Sequence, residues 1–394
     1  MRSSWDPSVL FTPMFDDPWL ALALGPLLYL SVASAIVVHE AGHAAAVALV
    51  RARLVSVEVG SGPVLARRTS SRTTVTVAAW PNRGLTVYLL DGADRVGART
   101  TPILLAGSIV NVVATLVLSV TVAGRQADNL VWVVSWLAAA QLWVGVANLI
   151  PWRTRDMASD GWLLGLMVIR HRRWLLRSLA VQAVLGAATW GQQTSCTTSE
   201  GRPHLDRLLE LDPSLTETTA LLPPAGRIGL AYALLTQHHY GEALRLLPDE
   251  TVEVPRSPAM AGLRDNYFAV ATMSIIEAEG GSSAARARAD EIPAVRRALL
   301  RSGLHHRGTV PHAISLGMFA LVEGHPLRAS WVLDGHQTEP TPAHTAAMGL
   351  CARAGLARAL GDDAGAAELL ARARQLAPGC PRPDVVEICR WAPA

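Results

Sequence analysis

His39-Glu40-Ala41-Gly42-His43 sets two imidazoles four residues apart, with a carboxylate beside the first. On a helix this spacing puts His39 and His43 on one face, a turn apart, where both rings can reach a single tetrahedral Zn2+. Glu40 lies beside that face and can take a proton from a water on the metal. Zinc lowers such a water's pKa to about 7, so the set implies hydrolysis at neutral pH. A catalytic zinc site normally has three protein ligands and one open position, so a further ligand must come from elsewhere. Two acids compete for it, Asp156 and Asp160, both in the polar run that follows Asn148-Leu149-Ile150-Pro151.

The setting of the motif carries as much weight as its spacing. It lies in the inner half of an apolar stretch running from Ala21 to Val50. A charged side chain at membrane depth costs roughly 2.5–3.5 kcal/mol on insertion scales, so three ionisable groups there need a partner, and a metal is one. Histidines that merely pack between helices are the plainer alternative, and they leave that cost unmet. The chain as a whole is half apolar and only 17% charged, too greasy for an ordinary soluble enzyme of 394 residues.

Three stretches are long enough to cross a hydrocarbon core of about 30 Å: 19–50, 101–123 and 130–152. Trp19, Trp132 and Trp152 stand where an interfacial belt would place them. A fourth apolar run, 174–190, is short and flanked by Arg170, Arg172 and Arg173, which predicts an interfacial helix. Eight arginines against three acids between Arg51 and Arg99, and six more arginines from Arg153 to Arg177, predict that these segments are cytoplasmic. The N-terminus is then outside. It lacks the basic start of a cleavable signal peptide. A net charge of +3 gives no footing for nucleic acid.

The first loop alternates as strands do, at Val55 to Val59, Thr73 to Ala78 and Leu85 to Leu90, with Gly60, Gly62, Pro63, Pro81 and Gly84 as punctuation. A small sheet there could receive an extended substrate segment by strand addition, or could simply cap the membrane domain. From about residue 200 the pattern turns helical and repetitive. Alanine-centred units recur around Ala243, Ala285, Ala329 and Ala366, each closed by a proline: Pro248, Pro293, Pro340 and Pro378. Spacings of roughly 40 residues fit stacked helix pairs, and 359–378 resembles a tetratricopeptide repeat. Cys196, Cys351, Cys380 and Cys389 have no metal-pair spacing and read as reduced thiols.

The helix motif and a later Asn148-x-x-Pro151 … Asp160-Gly161 element together resemble the site-2 protease family of intramembrane metalloproteases, over residues 19–170. The resemblance implies a three-span core, zinc dependence, and cleavage of membrane-spanning substrates near the cytosolic face. It also implies that the acid before glycine, Asp160, is the third ligand. The gap from Asn148 to Asp160 is longer than the family's usual one, and Asp156 falls nearer the usual offset, so Asp156 stands as the alternative. Asn148 would bind substrate backbone or support the broken helix. Gly107-Ser108-Ile109-Val110-Asn111 resembles the family's Gly-Pro-x-x-Asn with Ser108 in place of proline, making Asn111 a substrate-binding or site-supporting residue, or part of a small-residue packing face. Pro81-Asn82-Arg83-Gly84 resembles the family's strand-turn segment but lacks its second glycine.

The expected architecture is therefore mainly α: a polytopic membrane core with three spans and a small β-sheet loop, plus a soluble helical solenoid. Its boundaries are an extracytoplasmic tail (1–18), a metalloprotease core (19–175), an interfacial helix or linker (176–199) and a cytosolic TPR-like domain (200–394). The expected partners are a membrane-spanning protein substrate, a protein bound by the TPR-like domain, and the lipid bilayer of the cell membrane. The competing reading is a membrane-anchored scaffold whose metal site is not proteolytic. A metal transporter is disfavoured, because no second charged pathway crosses the spans.

Overall fold

The computed structural model describes residues 18–70, 73–125, 129–153, 158–191, 201–237, 239–248, 258–278, 291–306, 310–334 and 343–376. The chain divides into two compact units, Met1–Leu175 and Leu176–Ala394.

The first unit runs α1 (Pro18–Leu49), β1 (Arg53–Thr69), β2 (Thr74–Leu89), α2 (Val96–Val122), α3 (Asn129–Leu149), α4 (Asp160–Ile169) and the start of α5 (His171–Gly191). Among the described residues three helices are long and apolar enough to cross a membrane, Leu22–Leu49, Val96–Val122 and Asn129–Leu149. A helix bonds its own backbone polar groups internally, which is what a lipid environment demands. The polarity of these helices is inside-out relative to a soluble bundle. Val113, Leu116, Val117 and Val120 on α2, and Leu142, Trp143 and Val146 on α3, are exposed, while Ser108, Asn111 and Gln141 are buried. The Asn111 amide donates to the main-chain oxygens of Ala35 (3.2 Å) and Gln141 (3.4 Å), tying α2 to α1 and α3.

Polar punctuation shapes the rest. α3 stops at Leu149, short of the Trp152 end expected from hydropathy, because Pro151 has no N–H to give and restricts the residue before it. Ser159 then starts α4. Its hydroxyl oxygen accepts from the N–H of Trp162 (3.1 Å) and of Trp152 (3.1 Å), and its hydroxyl donates to the main-chain oxygen of Ile150 (2.7 Å). One side chain thus caps a helix and closes the loop leading into it.

β1 and β2 form one antiparallel pair, each strand bent part-way. Val57, Glu58 and Val59 face Thr86, Leu85 and Gly84 on one side and Val75, Thr76 and Val77 on the other. Residues 64–69 pair with 74–78. The bend in β1 uses Gly60 (φ 87°) and Gly62 (φ 82°), a left-handed backbone that glycine enters without strain. The three strand-like runs of the sequence are therefore pieces of two long strands. Two contacts fasten β2 along α1: the Tyr29 hydroxyl donates to the Ala79 main-chain oxygen, and Thr86 donates to Glu40.

The second unit begins within α5, whose Leu176, Leu179, Ala180, Ala183 and Ala187 are fully buried. Residues 176–187 are thus helical, with one face packed. A run of helices follows: α6 (Arg202–Leu211), α7 (Thr216–Leu221), α8 (Pro224–Leu235), α9 (Tyr240–Leu246), α10 (Pro258–Ala278), α11 (Ile292–His306), α12 (Val310–Val322), α13 (Pro326–Asp334), α14 (Ala343–Ala359) and α15 (Asp363–Leu376). Along α8 to α15 each helix packs on the next, and α8, α10 and α12 also pack on the next but one. Ala243, Ala329 and Ala366 are fully buried at close approaches. Ala285, Pro340, Pro378 and the cysteines other than Cys351 lie outside the described residues; Cys351 is a buried free thiol. Two buried acids are each flanked by two arginines, Asp265 by Arg264 and Arg301, and Glu323 by Arg296 and Arg328.

Candidate metal centre

His39 and His43 lie on the face of α1 that meets α2, as the four-residue spacing requires. The approach is close: a Cβ on Gly42 would come within 2.8 Å of the Ala106 main-chain oxygen. The Ser159 cap then presents Asp160, the first residue of α4, to the same point. Gly161 follows because a Cβ there would run into the backbone of Leu149. Only glycine lets the start of α4 lie against the end of α3.

The convergence is tight. His39 Nε2 is 3.1 Å from Asp160 Oδ2 and 3.1 Å from His43 Nε2, and His43 Nε2 is 3.3 Å from Asp160 Oδ2. The three side chains form the one group of His, Cys, Asp or Glu found among the described residues that could hold a metal ion. His39, Glu40 and His43 are buried, and Asp160 is 14% exposed at its side chain.

The donor set fits a cation. His43 Nδ1 lies 2.6 Å from the main-chain oxygen of Ile103. A carbonyl only accepts, so Nδ1 carries the proton and the Nε2 lone pair faces Asp160 and His39. Two imidazole nitrogens and a carboxylate oxygen aimed at one spot form a group that could hold a metal ion. At Zn–N distances of 2.0–2.1 Å and tetrahedral angles, ligand atoms sit about 3.3 Å apart, which is the spacing observed. Gly107 leaves the room: a Cβ there would lie 2.7 Å from His39 Nε2 and 2.7 Å from His43 Nε2.

Glu40 is 4% exposed, and its Oε2 accepts a hydrogen bond from Thr86 Oγ1 at 2.5 Å. Gly84, two residues earlier in β2, has no side chain where a Cβ would strike the Glu40 carboxylate. Asn148 donates to the Val144 main-chain oxygen of its own helix (3.0 Å), and Asn111 makes the interhelical bonds already described; neither belongs to the three-residue group. Asp156 lies outside the described residues. Gly107, Gly84 and Thr86 were not singled out from sequence as parts of the centre. The signal for the first was its place in a motif-like run, and for the second its turn; Thr86 had none.

The arrangement is that of a buried group able to hold a metal ion, with a carboxylate beside it and apolar helices around it. A family model described as Peptidase family M50 matches residues 27–130, a segment that takes in most of α1, both strands, α2 and the first residues of α3. That segment contains His39, Glu40, His43, Gly84, Thr86 and Gly107, while Asp160 lies beyond it. Neither the curated proteins nor the solved structures contain a match to this chain.

Proposed function

We propose that this chain is an intramembrane zinc metalloprotease that hydrolyses peptide bonds of membrane-spanning proteins near the cytosolic face. The observation that carries the reading is the convergence of Asp160 on His39 and His43, which with Glu40 lie in a segment apolar enough to span a membrane. Zinc, when bound, supplies Lewis-acid activation of water at neutral pH. His39, His43 and Asp160 would hold it, with Asp156 as the alternative third ligand.

Glu40 is the general base. Its carboxylate accepts the proton of the attacking water and returns it to the amine that leaves. Burial of Glu40 by β2 keeps bulk water from competing for that proton. A substrate helix must unwind locally before its carbonyls are open to attack, and helix-breaking residues would favour this. Among the described residues, run 84–89 of β2 has a strand partner on one side, residues 53–59. Its other edge would pair with the unwound segment beside Glu40. Asn111 and Asn148 support the helices around the site. The arginine-rich segments face the cytoplasm and the N-terminus lies outside, in a multi-pass cell-membrane topology. The helical repeats of the second unit, TPR-like in pattern, select a protein partner or substrate.

The test uses the full-length protein and its Glu40→Gln variant in detergent or nanodiscs. Zinc is measured in both, and membrane proteins retained by the variant are then mixed with the wild type. About one zinc per chain and a single-span protein cleaved by wild type but not by the variant are expected. A folded protein without zinc refutes the reading. A cellular role that survives Glu40→Gln points instead to the scaffold with a non-proteolytic metal.

A further inference from the structure

We propose that Thr86 is a positioning residue for the general base, a role that rests on the reading of Glu40 just given. Glutamate has three rotatable bonds, and a buried carboxylate without a fixed partner would have several arrangements to choose among. Thr86 removes that choice. Its hydroxyl has one proton, which it donates to Glu40 Oε2 at 2.5 Å. The hydroxyl is itself well fixed, because a β-branched side chain on a strand has few χ1 options. The strand is fixed in turn by the pairing of Thr86 with Val57 and by the Tyr29–Ala79 bond.

Gly84 completes the device. Side chains two apart on a strand share a face, so Gly84 and Thr86 both present to Glu40. At Gly84 a Cβ would meet Oε1, Cδ and Cγ of Glu40, so the missing side chain lets β2 lie directly on the carboxylate. Thr86 holds one oxygen, and Oε1 keeps its lone pairs for the proton it must take. Thr86 is not in the metal-ligating group, and the contact joins residues 46 apart in sequence. Helix α1 supplies the base, and the hairpin aims it.

The experiment measures affinity for acetohydroxamic acid, a small zinc chelator whose hydroxyl proton is shared with a neighbouring base, together with zinc content. Full-length wild type, Thr86→Val, Thr86→Ala, Thr86→Ser, Glu40→Gln and the Glu40→Gln/Thr86→Val double variant are compared. Valine keeps the β-branched shape and strand preference but loses the donor. All six proteins should hold about one zinc per chain. Thr86→Val and Thr86→Ala should bind the probe on the order of tenfold more weakly, the usual scale for a hydrogen bond to a charged group. Thr86→Ser should stay within about threefold of wild type, and the double variant should bind no more weakly than Glu40→Gln alone.

Wild-type affinity in zinc-loaded Thr86→Val and Thr86→Ala overturns the proposal. So does a double variant in which the two losses add, because Thr86 would then act independently of Glu40. A wild type without zinc, or Glu40→Gln with undiminished probe affinity, refutes the underlying site reading instead.

Discussion

Replacing Gly107 with alanine adds one methyl group at the point where the two imidazoles meet. The new Cβ would stand 2.7 Å from His39 Nε2, His39 Cε1 and His43 Nε2, where ordinary contact begins at 3.4 Å, so about 0.7 Å must be found. Helix α2 has little room to retreat without losing its grip on α1. The Ile103 carbonyl that fixes the His43 ring and the Asn111 amide that reaches Ala35 both sit on α2 and would be drawn off with it. The rings must therefore move, by more than the roughly 0.2 Å within which metal–ligand distances are held. Loss of an outer-shell partner costs about 10–100-fold in metal affinity, and displacement of ligands themselves should cost at least about 100-fold. The assay is chelator competition on the full-length protein with zinc as the reporter. Gly25→Ala is the control, since a Cβ there meets nothing within 4 Å. Gly107→Ala binding zinc as tightly as wild type would refute the geometry from which these numbers follow.

Two further outcomes test the elements that deliver the third ligand. Ser159→Ala removes the cap of α4 and a loop bond together, so stability should fall by about 1–2 kcal/mol in a denaturation assay, and zinc affinity should fall with it because Asp160 is the next residue. Asp160→Asn should weaken zinc binding beyond about 100-fold, more than an outer-shell loss, while Asp156→Asn should leave it within about twofold; the reverse pattern would transfer the ligand role to Asp156.

The parts of this molecule that were legible in the sequence are those governed by local periodicity. Three apolar stretches became three long helices because a helix needs only its own residues to satisfy its backbone. His39 and His43 share a face for the same reason. Asp160 was reached through the family resemblance, which implies a ligand ahead of glycine; the residues by themselves left it beside Asp156. The strand runs were visible, but their joining into two bent strands depends on Gly60 and Gly62 entering a backbone region that alternation does not report. Thr86 and Gly84 were not legible as neighbours of Glu40 because that contact is set by how β2 lies on α1. Gly107 contributes an absence of atoms, which hydropathy cannot weigh. The apolar run at 174–190 forms one helix with Leu176, Leu179 and Ala183 buried, a packing that the flanking arginines alone did not report.

The contact between His39 and Asp160 joins residues 121 positions apart. At synthesis rates of about 5–20 residues per second, the chain grows for roughly 6–24 s after His39 is made before Asp160 exists. Throughout that interval the growing polypeptide holds two imidazoles and a base without the carboxylate that completes the set. The three-residue group therefore cannot close until the third long apolar helix has been made.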